Sequence, residues 1–309
     1  MESRGSSAPV PSAGPPEVAL YRLADIYTDY DGFQELIRLH EYVSYCIFPG
    51  LHIDTSFLQW LDANMCAPLG AVLYEFARHG RIAIELKKPG LKSILERNGF
   101  LHNFGFTVPK GADRYGTTIE YQRFDCGDAE AFKAYVAQHF VGKGIPNMSE
   151  ALHRKFRESI SEVFDNAVEH SGTEAGIFAC GQYFPKKQQL DFCIADLGIG
   201  MRSVLERRGI QLSAEQAIEW AMSGDNTTRL RSEGRPGGLG LKLIRDFVRL
   251  NGGSILIVSD AGYWRFHGGN VELRTFPRPF PGTVVNIEIN TADTQSYCLA
   301  SEVDPKSIF

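Results

Sequence analysis

The sequence contains no apolar run approaching the roughly 20 residues that span a bilayer. Its opening stretch, MESRGSSAPVPSAGPPE, holds Ser, Pro and Gly where a secretory leader would hold an apolar core, so residues 1–16 are expected to be a disordered leader. Cysteine is scarce. The six thiols include no C-x-x-C pair and no histidine at ligand spacing, which argues against a zinc module or a disulfide framework and fits a reducing cytoplasm. Cations do not predominate either: 32 Lys and Arg against 37 Asp and Glu give a net charge of -5. That balance lacks the broad basic face of a nucleic-acid binder. A G-K-[ST] string is also missing, so the glycines present are not those of a P-loop.

What is present is ordinary globular material. Hydrophobic residues make up 43% and charged residues 22% of 309, enough for one large or two ordinary domains. In the first half, strand patterns at 18–27, 51–56, 81–86 and 117–124 alternate with helical patterns at 32–45, 64–79 and 89–97. Pro89 opens the last of these helices and Gly99 stops it. Alternation of this kind predicts an α/β unit over 17–125, its sheet covered by helices.

The second half centres on SEALHRKFRESISEVFDNAVEHS, residues 149–171. Leu152, Phe156, Ile160, Val163 and Ala167 recur at helical spacing. Asn147 with Glu150 is the expected capping start and Gly172 the stop. On the polar side, Glu162 and Asn166 stand one turn apart, about 6 Å between side chains. A carboxylate beside a carboxamide suits a general base next to an oxygen ligand for a hard metal ion. Taken on this helix alone, the pair suits a solvated helix face better.

Three further stretches accompany this helix. LDFCIADLGIGM, residues 190–201, is an apolar strand ending at Asp196, with Gly198 and Gly200 after it; it forms the second arm of a hairpin over 176–195. GRPGGLGLKLIRDFV, residues 234–248, sets Gly237, Gly238, Leu239 and Gly240 at the opening of a helix. Amides at such a start form an anion cradle, reinforced by the helix dipole. Arg229, Arg231, Arg235 and Lys242 are candidate cations for a terminal phosphate, and the polar stretch 201–235 suits a mobile lid. Last, PGTVVNIEIN carries Gly282 and Thr283 into a strand. Before it lies an aromatic, proline-rich insertion at 261–282, open to reading as a partner surface or as packed structure, and after it a tail at 291–309.

Together, in this order, the four stretches resemble the nucleotide-binding domain of the GHKL superfamily, which includes gyrase, MutL, histidine kinases and anti-sigma-factor serine kinases. The resemblance covers roughly half the chain and implies a domain at 127–290, an α/β sandwich with helices on one face of a mixed sheet. It also implies ATP and Mg²⁺ as cofactors. Asn166 would bind the magnesium ion, and Glu162 would be the general base. Asp196 would accept the adenine amino group and Thr283 would help fix the base, while Gly198, Gly200, Gly237, Gly238, Leu239 and Gly240 would let the backbone lie close to the nucleotide. Histidine kinases more often carry asparagine at the position of Glu162, which tilts the reading toward an ATPase or serine kinase. The implied functions are ATP hydrolysis driving a conformational or signalling switch, phosphotransfer to serine on a STAS-type partner, or ATP sensing without turnover. A protein partner, with a homodimer as an option, and neither membrane nor nucleic acid belong to this picture.

Residues 51–100 are similar to the second half of a STAS domain. That family carries its phosphoacceptor serine just after an aspartate at a helix start; here Asp62 is followed by Ala63 and Asn64. The resemblance implies a scaffold or docking module without its acceptor, and an unrelated small α/β domain is the alternative.

Overall fold

The computed structural model describes residues 18–107, 111–223 and 239–303. The first part builds β1 (Ala19–Arg22), α1 (Tyr30–Ser44), β2 (Gly50–Asp54), a 3-10 turn (Ala63–Met65) leading into α2 (Cys66–Ala77), β3 (Arg81–Glu85), α3 (Pro89–Arg97) and α4 (Phe100–Asn103). The Asp29 carboxylate caps α1, accepting from the Gly32 amide at 2.9 Å. β1, β2 and β3 form a parallel sheet in that order. Its rows Ala19/Leu51/Ile82 and Tyr21/Ile53/Ile84 point toward the helices.

The second part builds β4 (Thr118–Phe124), α5 (Ala129–Phe140), β5 (Asn147–Met148), α6 (Glu150–His170), β6 (Ile177–Phe184), β7 (Gln189–Asp196), α7 (Gly200–Glu206), α8 (Ala214–Met222), α9 (Leu239–Asn251), β8 (Ser254–His267), β9 (Asn270–Asn290) and β10 (Ser296–Tyr297). The whole is a mixed α/β architecture around a five-stranded sheet of order β4-β6-β7-β9-β8. Each pairing in this sheet is antiparallel, where a mixed sheet was expected. Tight turns join β6 to β7 and β8 to β9, and such connections allow no other orientation. Thr118–Phe124, expected to complete the first unit, pairs instead with β6.

Strand alternation gives this sheet two apolar faces. Ile177, Ala179, Phe192, Ile194, Ile257 and Val285 face α5, α6 and α9. Phe178, Cys180, Cys193, Ala195, Val258 and Val284 face α1 and α2. Nine of the twelve residues of α2 are buried, because the helix is wedged between the two sheets. Polar pins complete that contact: Asn64 Nδ2 donates to Asn286 Oδ1 at 2.7 Å, and Asn98 Nδ2 to Cys66 Sγ at 3.2 Å. Burial pushes the Cys180 and Cys193 thiols up, as expected of structural cysteines.

Two expectations are corrected. Ser149, not Asn147, caps α6: its hydroxyl accepts from the Leu152 amide at 3.1 Å. Asn147 is left free to extend β5, which pairs with β10. Residues 291–303 are therefore no loose tail, and Tyr297 packs edge-on against Phe247. The aromatic insertion resolves as packed structure, the outer part of the β8–β9 hairpin. Tyr263, Trp264, Phe266, Phe276 and Phe280 are buried there, and Tyr30 of α1 stacks on Phe276 at 4.4 Å. Among the described residues, no helix is long and apolar enough to cross a membrane.

Candidate functional site

The geometry of the site follows α6. Its apolar stripe, Leu152, Phe156, Ile160, Val163, Phe164 and Ala167, is buried. At about 2 kcal/mol for each large side chain, that stripe holds the helix on the sheet. Glu162 and Asn166 fall beside it and are half-buried. The Asn166 side chain makes no hydrogen bond among the described residues.

At the middle of α6, Glu162 meets the first turn of α9. A Cβ placed on Gly240 would lie 2.6 Å from Glu162 Oε2 and 3.0 Å from its Cβ. A side chain at this position would push the carboxylate aside. The opening of α9 thus lies directly against the carboxylate, with Lys242 half-buried in the same turn. Gly237, Gly238 and the three candidate arginines Arg229, Arg231 and Arg235 lie outside the described residues, as does the side chain of Leu239.

At its C-terminal end, α6 meets the turn after β7. The Ser171 carbonyl accepts from the Ile199 amide at 2.9 Å, and Gly172 takes a left-handed φ of 64°. Asp196 ends β7 and is buried. Burial pushes its carboxyl up to about 7, although the Ser171 hydroxyl and the amides of Thr283 and Gly198 pull the other way. None of them satisfies Oδ1, which is buried without a hydrogen-bond partner. The backbone crowds this oxygen: a Cβ on Gly198 would stand 2.8 Å from it, and one on Gly282 would stand 2.1 Å from the Asp196 carbonyl oxygen. A buried carboxylate oxygen left unsatisfied in a glycine-lined turn has an acceptor site open to a donor.

Strand register aligns the remaining polar groups. Asp196 pairs with Thr283, and Thr283 with Ser259, in a row across β7, β9 and β8. The Thr283 and Ser259 hydroxyls share a hydrogen bond at 2.9 Å, and Ser259 Oγ accepts from the Met201 amide at 2.8 Å, fixing the start of α7 just past Gly200. Ser171 and Ser259 carry no local signal in the sequence. One caps the end of a helix, the other lies within β8, and only the tertiary fold brings them to the Asp196 turn. Glu162 and Asn166 thus lie on α6, Gly240 lies against Glu162 in the first turn of α9, and Asp196 ends β7 with Gly198 and Gly200 after it and Thr283 across from it on β9.

The donor set fits the groups the sequence implied. The oxygens of Glu162 and Asn166 suit a hard divalent cation, and the orphaned Asp196 Oδ1 suits an amino donor. No protein-family model and no curated relative matches the sequence. The histidine kinase domain of the Erythrobacter litoralis EL346 blue-light activated histidine kinase is similar at 14% identity, over 84% of this chain and 96% of that one, with a TM-score of 0.27. This likeness is too slight to carry any residue role across.

Proposed function

We propose that the chain binds ATP with Mg²⁺ along the Glu162–Asn166 side of α6 and hydrolyses it to drive a conformational or signalling switch. The observation that most supports this is one helix abutting two distinct sites. Its middle touches Gly240 and its C-cap touches the Asp196 turn, about 13 Å apart along the axis, which is within reach of an extended nucleoside triphosphate.

In this reading the adenine amino group donates to Asp196 Oδ1, and Thr283, oriented by Ser259, borders the base. Asn166 would hold a magnesium ion, whose charge would offset that of the phosphates. Glu162 accepts the proton of the attacking water. The amides opening α9 face the phosphates, where the helix dipole favours negative charge. Phosphotransfer within the chain is disfavoured, because Ala63 and Asn64, at the acceptor positions of the STAS resemblance, carry no hydroxyl.

Purified protein incubated with Mg²⁺ and γ-labelled ATP tests the reading. Free labelled phosphate is expected, and Glu162→Ala should lower its release at least ~100-fold while ATP affinity persists. Label on a protein would instead indicate a kinase, and bound but intact ATP a sensor. Absence of ATP binding would overturn the proposal.

A further inference from the structure

At the far end of β7 from Asp196, about 24 Å away at the rise of a strand, the surface carries a rigid aromatic cluster that the nucleotide reading does not use. Tyr27, Phe57 and Trp60 are 43%, 64% and 41% exposed. The rings of Tyr27 and Trp60 lie nearly parallel, 6.3 Å apart.

Exposed aromatics of this size on a free loop would normally be mobile. Tyr27 and Trp60 are held, and Phe57 lies three residues before Trp60 on the same loop. The Asp25 carboxylate accepts from the Trp60 amide at 2.9 Å and from the Gln59 amide. Asp62 accepts from Trp60 Nε1 at 2.7 Å through one oxygen, and through the other from the Thr28 amide and hydroxyl at 2.7 and 2.9 Å. Backbone bonds between Ile26 and the 60–62 segment close the loop. A partner would therefore meet Tyr27 and Trp60 already ordered, with little conformational entropy left to lose there.

The rim is cationic. Lys187 Nζ, from the β6–β7 turn, lies 5.4 Å from the Trp60 ring centroid and 5.1 Å from that of Phe184. Lys88 Nζ hydrogen-bonds Gln59, and Lys186 is exposed beside Lys187. Lys87 is occupied by Asp54 and Glu85. The carboxylates of Asp25 and Asp62 are turned to the loop amides and to Thr28 and Trp60. A patch of apolar rings bordered by lysines, on a chain of net charge -5, selects for negative charge next to an apolar anchor. Tyr27 and Lys187 already lie against Trp60, which leaves Phe57 as the ring most open to contact and favours a side-chain anchor over a stacked base.

We propose that Tyr27, Phe57, Trp60 and Lys187 form a docking surface for an acidic protein segment bearing an aromatic or aliphatic anchor. The surface combines residues of the first module with the β6–β7 turn of the second, so its occupant senses their relative position. It depends on no property of the nucleotide site.

Fluorescence anisotropy of the full chain with labelled poly(Glu,Tyr) tests this, with poly-Glu and oligo-dT as comparison probes. Poly(Glu,Tyr) should bind more tightly than poly-Glu, and both Phe57→Ala and Lys187→Glu should weaken it by ~10-fold or more. Both positions are at the surface, and an unchanged thermal midpoint in each variant separates lost contact from lost fold. Equal binding by wild type and variants would overturn the proposal. So would no binding of poly(Glu,Tyr) at low salt, or Phe57-dependent binding of oligo-dT in preference to it. Concentration-dependent self-association abolished by Phe57→Ala would overturn it in favour of a second copy of the chain.

Discussion

Asp196 makes the folded state sensitive to pH in a way that can be measured directly. Its carboxyl stands near 7 in the fold against an ordinary value of 3.8, and burial is the cause. Between those two values the folded chain keeps a proton that the unfolded chain has released. Stability therefore falls as pH rises through this window and is fully restored only below it. At about 1.36 kcal/mol per pH unit, the gap corresponds to about 4 kcal/mol missing above neutrality. Asparagine cannot ionise, so Asp196→Asn carries a fixed offset from its altered hydrogen bonds and no pH dependence of its own. The stability of the variant relative to wild type should rise by about 2.5 kcal/mol between about pH 5 and about pH 8. Urea unfolding followed by tryptophan fluorescence measures this difference. Asp191, which burial also pushes up to about 7, contributes equally to both proteins and cancels. A difference constant to within about 0.5 kcal/mol across that range would refute the reasoning. ATP affinity should move the opposite way, falling by ~10-fold or more as a charged acceptor is lost. Stability gained and binding lost at one position is the pattern of a group retained for function.

Gly240→Ala should displace Glu162, since its Cβ would meet the carboxylate at 2.6 Å. The better helix propensity of alanine, about 1 kcal/mol, offsets the strain, so the thermal midpoint should shift little while ATP turnover falls at least ~10-fold. Asn64→Ala removes the donor from Asn286 Oδ1 and from Thr28 Oγ1, along with the unpartnered Asn64 Oδ1. The net loss should be about 2 kcal/mol, seen as a lower urea midpoint with an unchanged slope.

Much of this molecule was legible locally. The stripe from Leu152 to Ala167 shows a helix because burial on one side repeats every 3.6 residues. Asp196 is recognisable as a strand end because an apolar run precedes it and glycines follow. The pairing of Glu162 with Asn166 needs only the helical rise. Other features depended on distant partners. β4 joined the second sheet because its edge matched β6, a choice made by packing and not by the residues of TTIEYQRF alone. The row Asp196–Thr283–Ser259 exists only in strand register, so Ser259 was invisible beforehand. The wedging of α2 between two sheets, which buries Ala63 and Asn64, likewise arises from surfaces far apart in the chain. Backbone preference and periodicity are properties of neighbours and can be read in order. Register and burial are sums over many remote contacts, and only the folded chain evaluates them.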